Sequence, residues 1–274
     1  MELGIFYCQL LSAEKEQGVK YEDAIAKAQS LGITAIDLDV TYIYQTVPEV
    51  LKEHLAQYGM HVSSVHSAAQ CSVSPDGCIH FGLERMKEDI RRAKRVGSPR
   101  FMAVPQLPDD YKPENRKLYV DGFRKLFKKL AVYGKEIGVQ VTVEDFSTTS
   151  VPYASFEDLD WLMDNIPELM FTFDSGNFHL AGFDEMKALE KYTDRTVYLH
   201  LKGILKVDYE TDILRDGHYF EIMDLGTGVV DNKAIYDHFR SVGYDGVIIM
   251  ECNFSDQYNR TLKSVDFMNS IMKK

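Results

Sequence analysis

No apolar run in the sequence approaches the roughly 18 residues that a membrane-crossing helix needs, so no membrane partner is expected. The first residues, MELGIFYCQLLSAEKEQ, lack a basic segment and a small-residue cleavage site, and are expected to form a first strand instead of a signal peptide. Cysteine is sparse, and none of Cys8, Cys71, Cys78 and Cys252 forms a CxxC pair. Cys71 and Cys78 are too far apart for half a zinc knuckle, so reduced, packed thiols in a cytoplasmic protein are expected. Positive charge is also in deficit. With 31 Lys and Arg against 42 Asp and Glu, the net charge is −11, a balance that repels phosphate backbones and argues against a nucleic-acid partner. No Pro/Gly/Ser-rich linker or shift in composition divides the 274 residues, and no GxGxxG follows the first strand, which removes the usual dinucleotide fingerprint of an open doubly wound sheet.

Against these absences stands a strong alternation. Eight short apolar segments read as strands: residues 2–10, 33–40, 61–68, 100–106, 139–146, 169–174, 196–203 and 246–253. Each precedes a helical pattern, the longest being NRKLYVDGFRKLFKKLAVYGKEIG, and Gly32, Gly59, Gly97, Gly138 and Gly243 stand where helix C-caps are needed. Strand and helix in eightfold alternation predict a parallel sheet with helical crossovers. The absence of a linker predicts its closure into one α/β unit, a (β/α)8 TIM barrel spanning residues 1–274 as a single domain. One connection, residues 204–231, is unusually long for such a fold and is expected at the catalytic mouth.

The period-two alternation of strand side chains then selects a group of polar ends. In VQVTVEDF, Val139, Val141 and Val143 share the outward face, which turns Glu144 toward the barrel axis. LMFTFD puts Phe171 and Phe173 outward and Thr172 and Asp174 inward, and TVYLHLKG puts Tyr198, His200 and Lys202 inward. Glu251 shares a face with Val247 and Ile249, and parity alone leaves its direction open. Glu144, Asp174, His200 and Glu251 thus fall at the ends of four successive strands, at the barrel face where active sites of this fold are built. Close carboxylates repel unless a cation neutralises them, and three oxygen ligands with one imidazole suit one divalent metal ion, Mn²⁺, Zn²⁺, Co²⁺ or Mg²⁺. Each residue also has a plainer role. Asp174 could cap the turn through Ser175, Gly176 and Asn177, Glu144 could pair with Lys202, and His200 could be a satisfied core histidine. His66 and Asp37 are expected to face inward within reach of substrate hydroxyls, Lys202 to meet either a substrate oxygen or a neighbouring acid, and His179 to lie in a loop. Gly226 and Gly228 in GTGVVD allow close backbone approach.

At VEDF (143–146), FDSGNFHLAG (173–182), HLKG (200–203), GTGVVD (226–231) and GYDGVIIMECN (243–253), the chain resembles the xylose-isomerase-like TIM barrels of the sugar phosphate isomerase/epimerase superfamily. The resemblance implies Glu144, Asp174, His200 and Glu251 as metal ligands. It also implies Glu144 and Glu251 as the acid/base pair of an isomerase or epimerase that transfers protons through a metal-stabilised enediolate. His66, Asn177, Lys202 and Asp37 would contact the substrate, a small carbohydrate; self-association into a homo-oligomer stays open. Asn177 stands where the superfamily's DNA-repair endonucleases carry a ligand histidine, which argues against a trinuclear nuclease, and Lys202–Gly203 replaces a common Lys/Ser/Arg–Asp pair. The alternatives are a metal-dependent dehydratase of a polyol-derived ketone and a non-catalytic barrel that binds metal or sugar.

Overall fold

The expected alternation of strand and helix is present in the computed structural model, which describes residues 1–73, 79–148, 151–252 and 256–273. Eight strands form the barrel: β1 Glu2–Phe6, β2 Ile33–Asp39, β3 His61–Val73, β4 Arg100–Gln106, β5 Gln140–Glu144, β6 Met170–Asp174, β7 Thr196–Leu201 and β8 Val247–Met250. Each pairs in parallel with its sequence neighbour, and β1 pairs with β8, so the sheet closes on itself with helices around it. Closure leaves no barrel edge open for pairing with another chain. Cys78 and Asn253, the last residue of the eighth predicted segment, lie outside the described residues.

Two apolar layers hold the barrel together. Val141, Val143, Phe171, Phe173, Leu199, Leu201, Ile248 and Met250 face outward and join helix residues such as Ile25, Ile90, Phe123 and Leu130 in one buried cluster. Inside the barrel, Phe6, Ala35, Tyr198, Val247 and Ile249 form a smaller cluster. Polar interior positions are matched to each other: the Thr172 hydroxyl donates to Thr142 Oγ1 at 2.8 Å, and Ser63 and Tyr198 share a hydrogen bond of 2.6 Å. The presence of Val247 and Ile249 in the interior cluster resolves the open parity of β8 and carries Glu251 inward.

The boundaries differ from expectation in several places: the third strand runs on to Val73, past residue 68, and the fifth, seventh and eighth end at Glu144, Leu201 and Met250, two to three residues early. The first strand stops at Phe6, and residues 7–10 open the helix Tyr7–Gln17 instead of extending the strand. A short apolar run does not distinguish the two by periodicity. Here the Gln9 side chain decides, its Oε1 accepting from the Phe6 N–H at 3.0 Å and so satisfying an orphan donor of the helix start. The long connection after β7 is ordered: Gly203–Val207, His218–Met223 and Ile213–Arg215 form an antiparallel three-stranded sheet. It is tied back to the following loop by the Val229 N–H, which donates to Ile204 O at 2.8 Å. Among the described residues, no helix is long and apolar enough to cross a membrane.

Candidate metal centre at the barrel mouth

The four strand-end residues converge. Glu144 and Asp174 are the last residues of β5 and β6, His200 is the penultimate residue of β7, and Glu251 directly follows β8. Glu144, Asp174, His200 and Glu251 each offer a ligand atom, and these atoms lie within 4.8 Å of one another. The imidazole Nδ1 of His200 faces the carboxylates, 2.6 Å from Glu144 Oε1 and 3.6 Å from Glu251 Oε2. On the opposite side of the ring, Nε2 lies 3.5 Å from Asp37 Oδ2. Edge contacts from Phe6 and Tyr198, at centroid distances of 5.1 and 5.4 Å, fix the ring plane. No hydrogen bond joins Nε2 to Asp37 Oδ2 at this distance, and Nδ1 is the nitrogen that faces the cluster.

Asp174 divides its work between its two oxygens. Oδ1 accepts from the Gly176 and Asn177 N–H groups at 2.7 and 2.8 Å, capping the helix Ser175–Leu180. Oδ2 points the other way, 3.0 Å from Lys202 Nζ. The same ammonium lies 2.9 Å from Glu251 Oε1 and donates to Asn177 Oδ1 at 3.2 Å. Glu144 pairs with His200 instead of Lys202.

Burial makes these charges expensive, and the pairing answers it. Burial pushes the Glu251 carboxyl up to about 7; the Asp174 and Glu144 charges add to this, and Lys202 and His200 oppose it. For His200, burial pulls down but Glu144 and Asp37 outweigh it and raise the imidazole well above its ordinary value. Lys202 is likewise raised against burial, by Asp174 and Glu251. The donor set fits a divalent cation: three carboxylates and an imidazole are the hard and borderline ligands that such ions take, and Asp174 is oriented by its capping hydrogen bonds and the imidazole by Phe6 and Tyr198.

A cavity of about 470 Å³ opens over this cluster. Its walls include Glu144, His200, Glu251, His66 and Asp37, together with Phe6, Tyr7, Cys8, Asp39, Thr41, Tyr42, Met102 and Val104. His66 is 2.6 Å from Asp37 through Nδ1 and 3.3 Å from Asp39 through Nε2. Burial pulls this imidazole down, but the two aspartates raise it to about 9. Burial pushes the Asp37 carboxyl up, yet His200 and His66 together hold it down at about 2. Asn177 and Lys202 sit beneath the cluster, their polar ends joined to each other, to Asp145 and to the acids. His179 belongs to the helix Ser175–Leu180, not to a loop, and lies 3.4 Å from Glu185.

Two acids escaped the sequence reading. Asp39 has the same parity as Asp37 in ITAIDLDV, and period two was enough to find it. Asp145 follows Glu144 and carried no such signal. It is buried, accepts from the Asp174 N–H at 3.2 Å, and keeps Oδ2 without a hydrogen-bond partner among the described residues. Burial and the adjacent Asp174 and Glu144 charges raise its carboxyl well above the usual range.

With barrel and site in view, the chain belongs to the xylose isomerase-like TIM barrel family, whose sequence profile matches residues 25–271. It is 23% identical over 157 residues to the inosose dehydratase of Lacticaseibacillus casei, a match covering 53% of this chain and 52% of that protein. The chain thus spans about half the length of this curated relative. Among solved structures it is similar to the IolI protein with a bound zinc atom, at a TM-score of 0.71 and 15% identity, covering 100% of this chain and 96% of that one. It is also similar to the D-allulose 3-epimerase of Methylomonas sp., at a TM-score of 0.70 and 18% identity, covering 99% and 98%. At such identities the structural likeness establishes the fold.

Proposed function

We propose that this protein is a divalent-metal-dependent enzyme that moves a proton at the carbon beside the carbonyl of a small polyhydroxylated ketone, isomerising or epimerising it. The observation that carries this reading is the meeting of two glutamates on one imidazole at the floor of a cavity: Glu144 and Glu251 lie 2.6 and 3.6 Å from His200 Nδ1. Binding alone needs no second acid/base group.

Glu144, Asp174, His200 through Nδ1, and Glu251 would hold the ion. When bound, it polarises neighbouring carbonyl and hydroxyl oxygens and so acidifies the adjacent C–H bond. Asp37 places a carboxylate 3.5 Å from Nε2, on the far side of the His200 ring. Glu144, the more open of the two glutamates, takes the proton from carbon, and Glu251 returns one. His66 offers hydrogen bonds to substrate hydroxyls from the cavity wall, the fully buried Asp37 lies behind it at 2.6 Å instead of reaching the substrate, and Phe6 and Tyr42 provide apolar surface for a sugar ring face. Asn177 and Lys202 act from beneath, holding Asp174 and Glu251. The donor chemistry admits Mn²⁺, Zn²⁺, Co²⁺ or Mg²⁺.

Dehydration is the second reading, favoured by the likeness to inosose dehydratase. It begins with the same loss of a proton from carbon, after which a β-hydroxyl leaves as water with a proton from the second glutamate. Incubating the Mn²⁺-supplemented protein with ketohexoses and inososes in D₂O separates the two. Deuterium in recovered sugar without loss of water supports isomerisation, and growth of an enone absorbance supports dehydration. In either case Glu144→Gln and Glu251→Gln lower the rate by about 10²-fold or more. Metal uptake with neither product across the panel overturns the catalytic reading and leaves a binding protein.

A further inference from the structure

The four donor residues carry three carboxylates, and a cation already stands among them. Lys202 Nζ is 3.0 Å from Asp174 Oδ2 and 2.9 Å from Glu251 Oε1, so it engages two of the four residues assigned to the metal. This placement is built, not incidental. The residue is buried, and its backbone N–H donates to Ser175 Oγ at 3.0 Å. Its stem lies across Gly176, where an added Cβ would fall 2.4 Å from Lys202 Cγ and 2.6 Å from Cδ. Only a residue without a side chain at position 176 lets the lysine run along this path into the acid cluster. Asn177 Oδ1, at 3.2 Å, gives the ammonium a further partner beside the carboxylates.

We propose that Lys202 is an internal counter-cation that competes with the divalent ion for Asp174 and Glu251. This rests on the metal-site reading above and adds to it a regulation of occupancy. An ammonium and a dication on the same two carboxylates repel across a few ångströms in a water-poor interior, where charge interactions are several times stronger than in bulk water. Metal entry therefore requires the ammonium to leave Asp174 and Glu251. The metal-free protein is held closed by lysine, with its acids compensated, and its affinity for metal is lower than the donor set alone would give. Removing the lysine leaves the acids uncompensated until metal arrives, so the variant depends on metal for stability where the natural chain does not.

The test is calorimetric titration of Mn²⁺ into the full-length protein after chelator stripping, comparing the natural chain with Lys202→Met and Gly176→Ala. Binding of one Mn²⁺ per chain, about tenfold or more tighter in Lys202→Met and shifted the same way in Gly176→Ala, supports the proposal. Mn²⁺ should also raise the melting temperature of Lys202→Met by more than that of the natural chain. Equal or weaker one-to-one binding in Lys202→Met overturns the role of Lys202 and leaves the metal site standing. No binding by any of the three proteins at millimolar Mn²⁺ overturns the metal site and the competition together. If Lys202→Met does not fold, the comparison rests on Gly176→Ala, and an affinity unchanged from the natural chain then overturns the proposal.

Discussion

At the scale of single residues, Asp174 and His66 each serve two masters, and substitution separates the roles. Asp174 caps a helix with one oxygen and faces Lys202 with the other. Asparagine keeps the cap but not the charge. Asp174→Ala is therefore expected to be less stable than Asp174→Asn by about 1 kcal/mol in urea denaturation of the stripped protein, while both lose Mn²⁺ affinity alike. Equal stability of the two variants would remove the capping role. His66 lies between Asp37 and Asp39, and its pKa is raised from its ordinary 6.5 to about 9. A raised imidazole stabilises the fold fully below 6.5, and that contribution is lost as pH rises through about 9. The depression of Asp37 partly reflects the same contact. Between these pH values the stripped natural protein should lose on the order of 2–3 kcal/mol relative to His66→Gln. Parallel pH profiles of the two proteins in denaturant would contradict this.

At the scale of elements, the small sheet after β7 depends on two close backbone approaches. An added Cβ at Gly203 would lie 2.2 Å from Asp224 O, and one at Gly228 would lie 1.8 Å from Ile204 O, with Gly228 at φ +96°. Positive φ in a residue with a side chain and forced overpacking each cost about 1–3 kcal/mol. Gly228→Ala should thus lower unfolding free energy by roughly 2–5 kcal/mol in urea; a change below about 0.5 kcal/mol, the range of an ordinary surface substitution, would show that the loop adjusts freely. GTGVVD announced such an approach, but its partner strand was illegible, because residues 204–231 hold short antiparallel strands with weak alternation. Local pattern also misplaced residues 7–10, where a side-chain hydrogen bond from the next turn settled an apolar run as helix. The barrel strands were legible because their outward faces are nearly continuous in Val, Ile, Leu and Phe.

At the scale of the whole molecule, closure of the barrel turns four strand ends, far apart in sequence, into one cluster within 4.8 Å. Period-two parity was sufficient to foresee Glu144, Asp174 and His200 on the inner face. Glu251 needed the interior packing of Val247 and Ile249. What parity does not convey is which partner a long side chain selects. Lys202 shares its face with His200, but only the fold shows that its ammonium is set between Asp174 and Glu251 and that Glu144 goes to His200. The account is therefore tested most directly by anomalous diffraction from crystals of the full-length protein grown with Mn²⁺. It predicts one strong anomalous peak per chain, bounded by Glu144, Asp174, His200 and Glu251, with the Lys202 ammonium moved off Asp174 and Glu251. Mn²⁺ bound elsewhere, with the four residues paired only among themselves and with Lys202, would contradict it.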